Sequence, residues 1–473
     1  LFEEDEEPRY GYAPGMAIYG LPFQDIEGID TFDDLKDPAN ARRMGEAMKE
    51  RMGKGDAAAN LSVCSLIVNA YLLTGERRYR DWLVEYVGTW QERAKENGGL
   101  VPDNVGLSGR VGEYQHGRWF GSMYGWSWPH GFYNVGSATL IAGIATYLAT
   151  GDVTWLDFPR SQLREILKHG TYADPRRDTM SLSHHWTGQL AALPRRTETF
   201  VVPYRYTDGG WFDYQPLSPI YSATLWNVAG LPQDREMLAE LRRREAHDWR
   251  TVTSFRSKED AGHEQPWFAY LSGENPDYPE RILQVALDQV YRRLEQIRRD
   301  ESDLTTVHIH HWQRLNPVTT EALIQLTLGA PQMPYNGGLL AAPIRHFDPD
   351  RRRPGLPPDV AALVDSVSDD SISLTVLNLN GEMPRRLLIQ AGSFGEHRFG
   401  ALRYSRRVSD YPGTVGEYAA PPLESDKQAI RIDGPTVTVA LPPGTQIHLT
   451  FDLERSVAPA SYEFPWHREE NAS

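Results

Sequence analysis

The sequence predicts a helical N-terminal part built from repeated helical hairpins, followed by an antiparallel β-sandwich. Three observations lead there. Apolar residues recur at helical spacing in paired segments that share one kind of turn. A connector dense in Arg and Pro runs over 348–358. Beyond it, polar and apolar residues alternate with a period of two, the spacing of strands with one buried face. A chain of 473 residues exceeds the size at which one core keeps growing, so at least two domains are expected.

The first forty residues, rich in Gly, Pro and Asp, read as an irregular arm, and a helical domain then spans 41–347. From 57 to 71 the apolar positions have helical spacing, Thr74-Gly75 stops the helix, and 79–94 supplies its amphipathic partner. The same grammar returns at 137–148, stopped by Thr150-Gly151 and followed by 155–167. Tyr71-Leu72-Leu73-Thr74-Gly75-Glu76 aligns with Tyr147-Leu148-Ala149-Thr150-Gly151-Asp152. A weaker third copy, Tyr270-Leu271-Ser272-Gly273-Glu274, leads into 278–297. Each copy is a C-cap signal followed by a residue able to start the next helix, and such repetition reads as an αα array. The long interruptions at 97–136 and 170–233 hold many of the aromatic residues and read as functional loops. A helix over 316–328 closes this part. Ser371-Ile372-Ser373-Leu374-Thr375-Val376, 436–439 and 446–450 then alternate as strands of a sandwich over 359–473, tail included.

Charged residues make up 24% of the chain and the net charge is −15, which argues against a nucleic-acid footprint. No apolar run approaches the roughly 18 residues of a membrane span, so no membrane partner is expected. Cys64 is the only cysteine, which excludes an internal disulfide framework and a multi-cysteine metal site. Leu1 in place of Met, ahead of Phe-Glu-Glu-Asp-Glu-Glu, reads as a processed N-terminus.

The hairpin array, the connector and the terminal sandwich together resemble the (α/α)-toroid carbohydrate-active enzymes, and the two Tyr-Leu-x-Thr-Gly-acid turns look like the hairpin turns of that class. The resemblance implies a toroid of about six hairpins acting on an acidic polysaccharide or oligosaccharide, by polysaccharide lyase or glycoside hydrolase chemistry, with the rhamnosyl-glucuronate lyase group as the more specific likeness. That substrate class fits a secreted or periplasmic protein.

Five residue clusters are candidates for the chemistry. The densest lies in 110–136, where Tyr114, His116, Arg118, Trp119, Tyr124, Trp126, Trp128, His130 and Asn134 sit among six glycines. The second is His184-His185-Trp186. The third runs from Tyr204, Arg205 and Tyr206 to Asp208, Trp211, Asp213 and Tyr214. The fourth is His263-Glu264 with Trp267 and Tyr270, and the fifth is His308, His310, His311 and Trp312. Any one of these aromatic residues can equally be core filling. Elimination from a 4-linked uronate needs a group that neutralises the C6 carboxylate, a base for the C5 proton and an acid for the leaving O4. His116 or His130 is the expected base, Tyr124 or Tyr114 the proton donor, and Arg118 with Arg205 the carboxylate clamp. Trp126, Trp128, Asn134, His185, Tyr206, Trp211, Asp213, His263, Glu264, Trp267, His311 and Trp312 are expected to hold the sugar.

Hydrolysis instead needs two carboxyl groups flanking the bond, and Glu113, Asp208, Asp213 and Glu264 are the candidates. The scarcity of carboxylates in the densest loop favours elimination. A noncatalytic carbohydrate-binding protein is the third reading. His308-x-His310-His311 has the spacing of a metal pair but no adjacent acidic third ligand, so no metal is assigned and no cofactor is required.

Overall fold

The computed structural model describes residues 8–12, 19–174, 197–246, 248–255, 262–307, 310–332, 337–408 and 424–467. They divide into two compact units. The first comprises Leu1–Ser222, Glu236–Gly262 and Met333–Leu339, and the second Ala223–Arg235, His263–Gln332 and Leu340–Ser473.

The first unit is organised on one helix. After α1 (Pro38–Met52) come α2 (Cys64–Thr74) and α3 (Arg77–Glu96), then α4 (Phe132–Thr150) and α5 (Asp157–Lys168). All of α4 except Tyr133 and Thr150 is buried, with α2, α3 and α5 packed around it. Contrary to the expectation that no apolar run approaches a membrane span, it is long and apolar enough to cross one, yet 94% of its apolar window lies inside the protein. A helix that is apolar all round belongs at a core centre or in lipid, and here it is the core.

The two aligned turns make the same hydrogen bonds. Gly75 N–H donates to Tyr71 O at 2.7 Å and Gly151 N–H to Tyr147 O at 2.7 Å, both glycines being left-handed. Thr74 and Thr150 hydroxyls donate back to Ala70 O and Thr146 O, and accept from the N–H of Glu76 and Asp152. The shared sequence therefore encodes a shared helix stop.

After α5 the hairpin succession ends. Strands β3 (Thr171–Ala173), β4 (Thr199–Thr207) and β5 (Gly210–Gln215) form an antiparallel sheet, with Asp208-Gly209 as the two-residue turn between Thr207 and Gly210. The expected toroid is corrected here. The helices that a single ring would need are interrupted by this sheet and divided between the two units. Those that follow include the short α6 (Ile220–Ala229), α8 (Glu264–Leu271), α10 (His310–Leu315) and α11 (Glu321–Leu328), beside α7 (Pro232–Arg244) and α9 (Tyr278–Arg298). A helix of six or eight residues is too short to pair along its length with one of twenty-one. The stop signals are local, so repeating them does not impose a closed ring.

The second unit joins the later helices to two antiparallel sheets. The four-stranded sheet runs in the order β13 (Thr436–Leu441), β10 (Arg385–Ala391), β6 (Ile344–Asp348), β7 (Arg353–Pro354), and the five-stranded sheet in the order β12 (Glu424–Gly434), β11 (Arg398–Val408), β14 (Gln446–Glu454), β9 (Ser371–Asn378), β8 (Val360–Val367). Alternation in β9 (Ser371–Asn378) buries Ile372, Leu374, Val376 and Asn378. Helices α8 and α11 pack on β8 (Val360–Val367), where Tyr270 Oη donates to Val364 O and Gly329 lies against Val364 and Val367.

Candidate functional site

In the first unit the loop of 97–131 is built around one carboxylate. Asp103 is fully buried and accepts from the N–H groups of Gly121 (3.0 Å), Ser122 (3.0 Å) and Trp126 (2.7 Å) and from Asn104 Nδ2 (3.1 Å). Burial pushes its carboxyl upward against the pull of these donors. Gly125 is required because a Cβ there would lie 2.1 Å from Asp103 Oδ2. Gly131, at φ +56°, is required because one would lie 1.9 Å from Tyr204 O. Replacing Asp103 by Asn keeps the shape but turns an amide towards two of the donors. The expected loss is about 2–3 kcal/mol, read as a lower urea midpoint; an unchanged midpoint would refute the hub.

The aromatic residues held by this loop mostly fill space. Trp126 is buried, donates from Nε1 to Val101 O at 2.8 Å and meets Trp211 edge-on at 5.6 Å. Trp128 is buried against Tyr10 in a cluster with Phe23, Ile29, Leu35 and Met44. Tyr206 packs 4.9 Å from Trp119 and 4.9 Å from Trp211. His130 is buried, edge-on to Tyr19 at 5.1 Å and beside Tyr133, and Asn134 is buried in the first turn of α4. His116 and Tyr124 are exposed at positive φ, and Tyr114 is half-buried under Lys54.

The two expected carboxylate-binding arginines are engaged within the unit. Arg118 Nε and Nη2 each stand 2.9 Å from an Asp208 oxygen, and Nη1 lies 3.1 Å from Asp25. Arg51 completes the chain with a 2.7 Å bond to Asp25. Arg205 is buried over the Phe212 ring, donating to Ser127 O and Tyr19 O. Of the hydrolytic candidates, Glu113 accepts from the Ser108 N–H and hydroxyl, Asp208 is paired with Arg118, and Asp213 accepts from Gln215.

The second unit holds a different arrangement. His263 Nδ1 lies 2.7 Å from Glu321 Oε2, while the His263 N–H donates to Glu321 Oε1 at 2.9 Å. Gln325 Nε2 also donates to Oε1, and its own Oε1 accepts from the Tyr278 hydroxyl. With Glu321 as the carboxylate, Nδ1 is the ring nitrogen that donates to it, an assignment inferred from the bonding pattern. Burial, then the charge of Glu321, pushes the neighbouring Glu264 carboxyl up to about 8. Burial and the charges of Glu321 and Glu264 also hold the Tyr278 phenol well above its ordinary value. All five side chains are buried. Trp267, one helical turn beyond Glu264, is fully buried, and its indole N–H meets no acceptor among the described residues.

The first and third clusters thus lie in the first unit, and the fourth and the described part of the fifth in the second. There His311 Nε2 lies 2.8 Å from Asp300 beside the half-exposed Trp312. His185, with His184 and Trp186, and His308 lie outside the described residues. Sequence reading reached His263, Glu264 and Trp267 but missed Glu321, Tyr278 and Gln325. The available signal was Glu321 and Gln325, four apart on one face of the otherwise apolar helix 321–328.

Among the described residues no three His, Cys, Asp or Glu side chains gather as a metal site. No curated protein and no solved structure matches the chain. A family described as "Domain of unknown function (DUF8034)" matches residues 1–324, a span that takes in His263, Glu264, Tyr278 and Glu321. With more than half of its length matched, the chain belongs to the DUF8034 family.

Proposed function

We propose that this protein is a polysaccharide lyase that cleaves a uronate-containing glycan by β-elimination, with His263 as its base. The observation that carries the reading is the buried His263–Glu321 pair beside the buried Glu264, whose carboxyl is pushed up to about 8 by burial and then by the charge of Glu321. Each requirement of the reaction has a group in this cluster. Glu321 holds Nδ1–H, so Nε2 can accept the C5 proton. Neutral Glu264 can donate a hydrogen bond to the substrate's C6 carboxylate, which acidifies the C5–H bond. The electron pair of that bond becomes the C4=C5 double bond, the C4–O4 bond breaks, and Tyr278 protonates the departing oxygen. Transfer of the proton from His263 to the Tyr278 phenolate restores both groups. Since every member is buried, the reading requires an open form that admits the sugar.

A second reading draws on the same carboxyls. One held neutral beside one held as an acceptor is also what a hydrolase needs, but both Glu321 oxygens accept from His263, an arrangement that orients a base and favours elimination. Incubation with oligogalacturonate and oligoglucuronate separates the two by the ultraviolet absorbance of an unsaturated uronate. His263→Gln is expected to lower that rate about a hundredfold or more, the usual scale of a general base. Reducing ends without the absorbance would sink elimination and support hydrolysis; absence of any product would sink both.

A further inference from the structure

A second feature of the first unit, separate from the acid–base cluster, is an open groove of about 600 Å³, within the size range of small-ligand sites. One wall is a stripe of α3. Leu83, Val87, Trp90 and Ala94 turn into the core, and the neighbouring stripe Trp82, Tyr86, Thr89 and Arg93, with Glu85, lines the groove. The opposite wall is formed by Gly55, Asp56, Val105, Gly106, Leu107 and Gly109, where β1 (Asp56–Ala57) pairs with β2 (Asn104–Val105). That wall is tightly seated, since a Cβ on Gly55 would lie 2.2 Å from Val105 O.

Its chemistry is specific. Trp82 and Tyr86 stack with ring centroids 4.6 Å apart and planes 21° from parallel, and Trp82 keeps 38% of its surface exposed. Leu107, across the groove, is 84% exposed. Asp56 accepts from Tyr86 Oη and Asn60 Nδ2, both at 2.8 Å, and a carboxylate has lone pairs beyond these two. A helix face and a turn that needed only solubility would show polar residues where Trp82 and Leu107 stand.

We propose that this groove binds neutral sugar residues of a glycan, with a pyranose ring stacked on Trp82 and its hydroxyls donating to Asp56 and Glu85. The apolar C–H face of a pyranose matches an exposed indole, and vicinal hydroxyls match carboxylate acceptors. Two carboxylates against the single Arg93 disfavour phosphates and uronates, so this ligand differs from the acidic unit proposed for the buried cluster. The inference does not depend on that reading, because binding here requires no turnover.

The test is calorimetry and saturation-transfer NMR of the full chain with cellohexaose, xylohexaose, mannohexaose and β-1,4-galactohexaose, and with AMP as a charged-ring control. At least one hexaose is expected to bind. Trp82→Ala is expected to weaken it about tenfold or more, the scale of one lost aromatic contact, with the native circular dichroism kept and only a small fall in the unfolding midpoint from the lost stacking on Tyr86. Asp56→Asn should weaken it less. Equal binding by Trp82→Ala, no binding of any hexaose, or a preference for AMP over all four would overturn the proposal.

Discussion

Glu321→Ala is expected to destabilise the protein by about 3–5 kcal/mol, the cost of removing one member of a buried charge-bearing pair. The carboxylate has no exposure and accepts from at least three donors among the described residues, the His263 N–H, His263 Nδ1–H and Gln325 Nε2. Alanine leaves all three without an acceptor in a region water does not reach, and the freed Gln325 amide also loosens its bond with Tyr278. Glu321→Gln restores one carbonyl oxygen and should recover part of the loss. Urea unfolding reads both: the midpoint moves and the slope does not, if the native fold is retained. A loss below about 1 kcal/mol for the alanine variant would show that the bonds contribute little and that His263 is held by other contacts.

The second large effect is a dependence on pH set by Glu264. Burial, and next the Glu321 charge, pushes its carboxyl up from the ordinary 4.5 to about 8 in the folded protein. The folded state therefore binds the proton more tightly than the unfolded state. The stabilisation is fully present below the unfolded value of 4.5 and is lost as pH rises through about 8. The loss across this window is on the order of 5 kcal/mol. Glu264→Gln, which stays neutral, should be less pH-dependent, so the difference in stability between variant and wild type should grow in the variant's favour from acid to mildly alkaline pH. Parallel curves would refute a carboxyl that is buried neutral. Under the elimination reading, turnover should also fall above pH about 8, where Glu264 no longer donates to the substrate carboxylate.

Much of the local structure could be read from the residues. The period of two over 371–376 lies on a strand whose alternate side chains are buried, and the Thr-Gly turns at 74–75 and 150–151 are helix stops with matching hydrogen bonds. The ring was not legible, because a stop signal says where a helix ends and nothing about which helix it meets next. Tyr204, Arg205 and Tyr206 read as a loop cluster although Asp208-Gly209 marks a hairpin turn, which the density of functional side chains obscured. The partners of His263 were hidden for a simpler reason. Glu321 is 58 residues away in sequence, and a single chain carries no periodicity that links such positions. The adjacent pair His263-Glu264 was visible, but which of the two keeps its proton depends on burial that composition does not reveal.

The all-round burial of Phe132–Thr150 has a consequence for how the protein is made. During synthesis this helix emerges before α5 and before Leu339, which lines the same apolar interior beside Ile141, Ile144 and Ala145. Until those later segments arrive, the ribosome presents a nineteen-residue apolar helix with the length and hydropathy of a membrane span. The segment at the centre of the finished core is thus, until it is covered, an apolar surface that must be shielded from other chains.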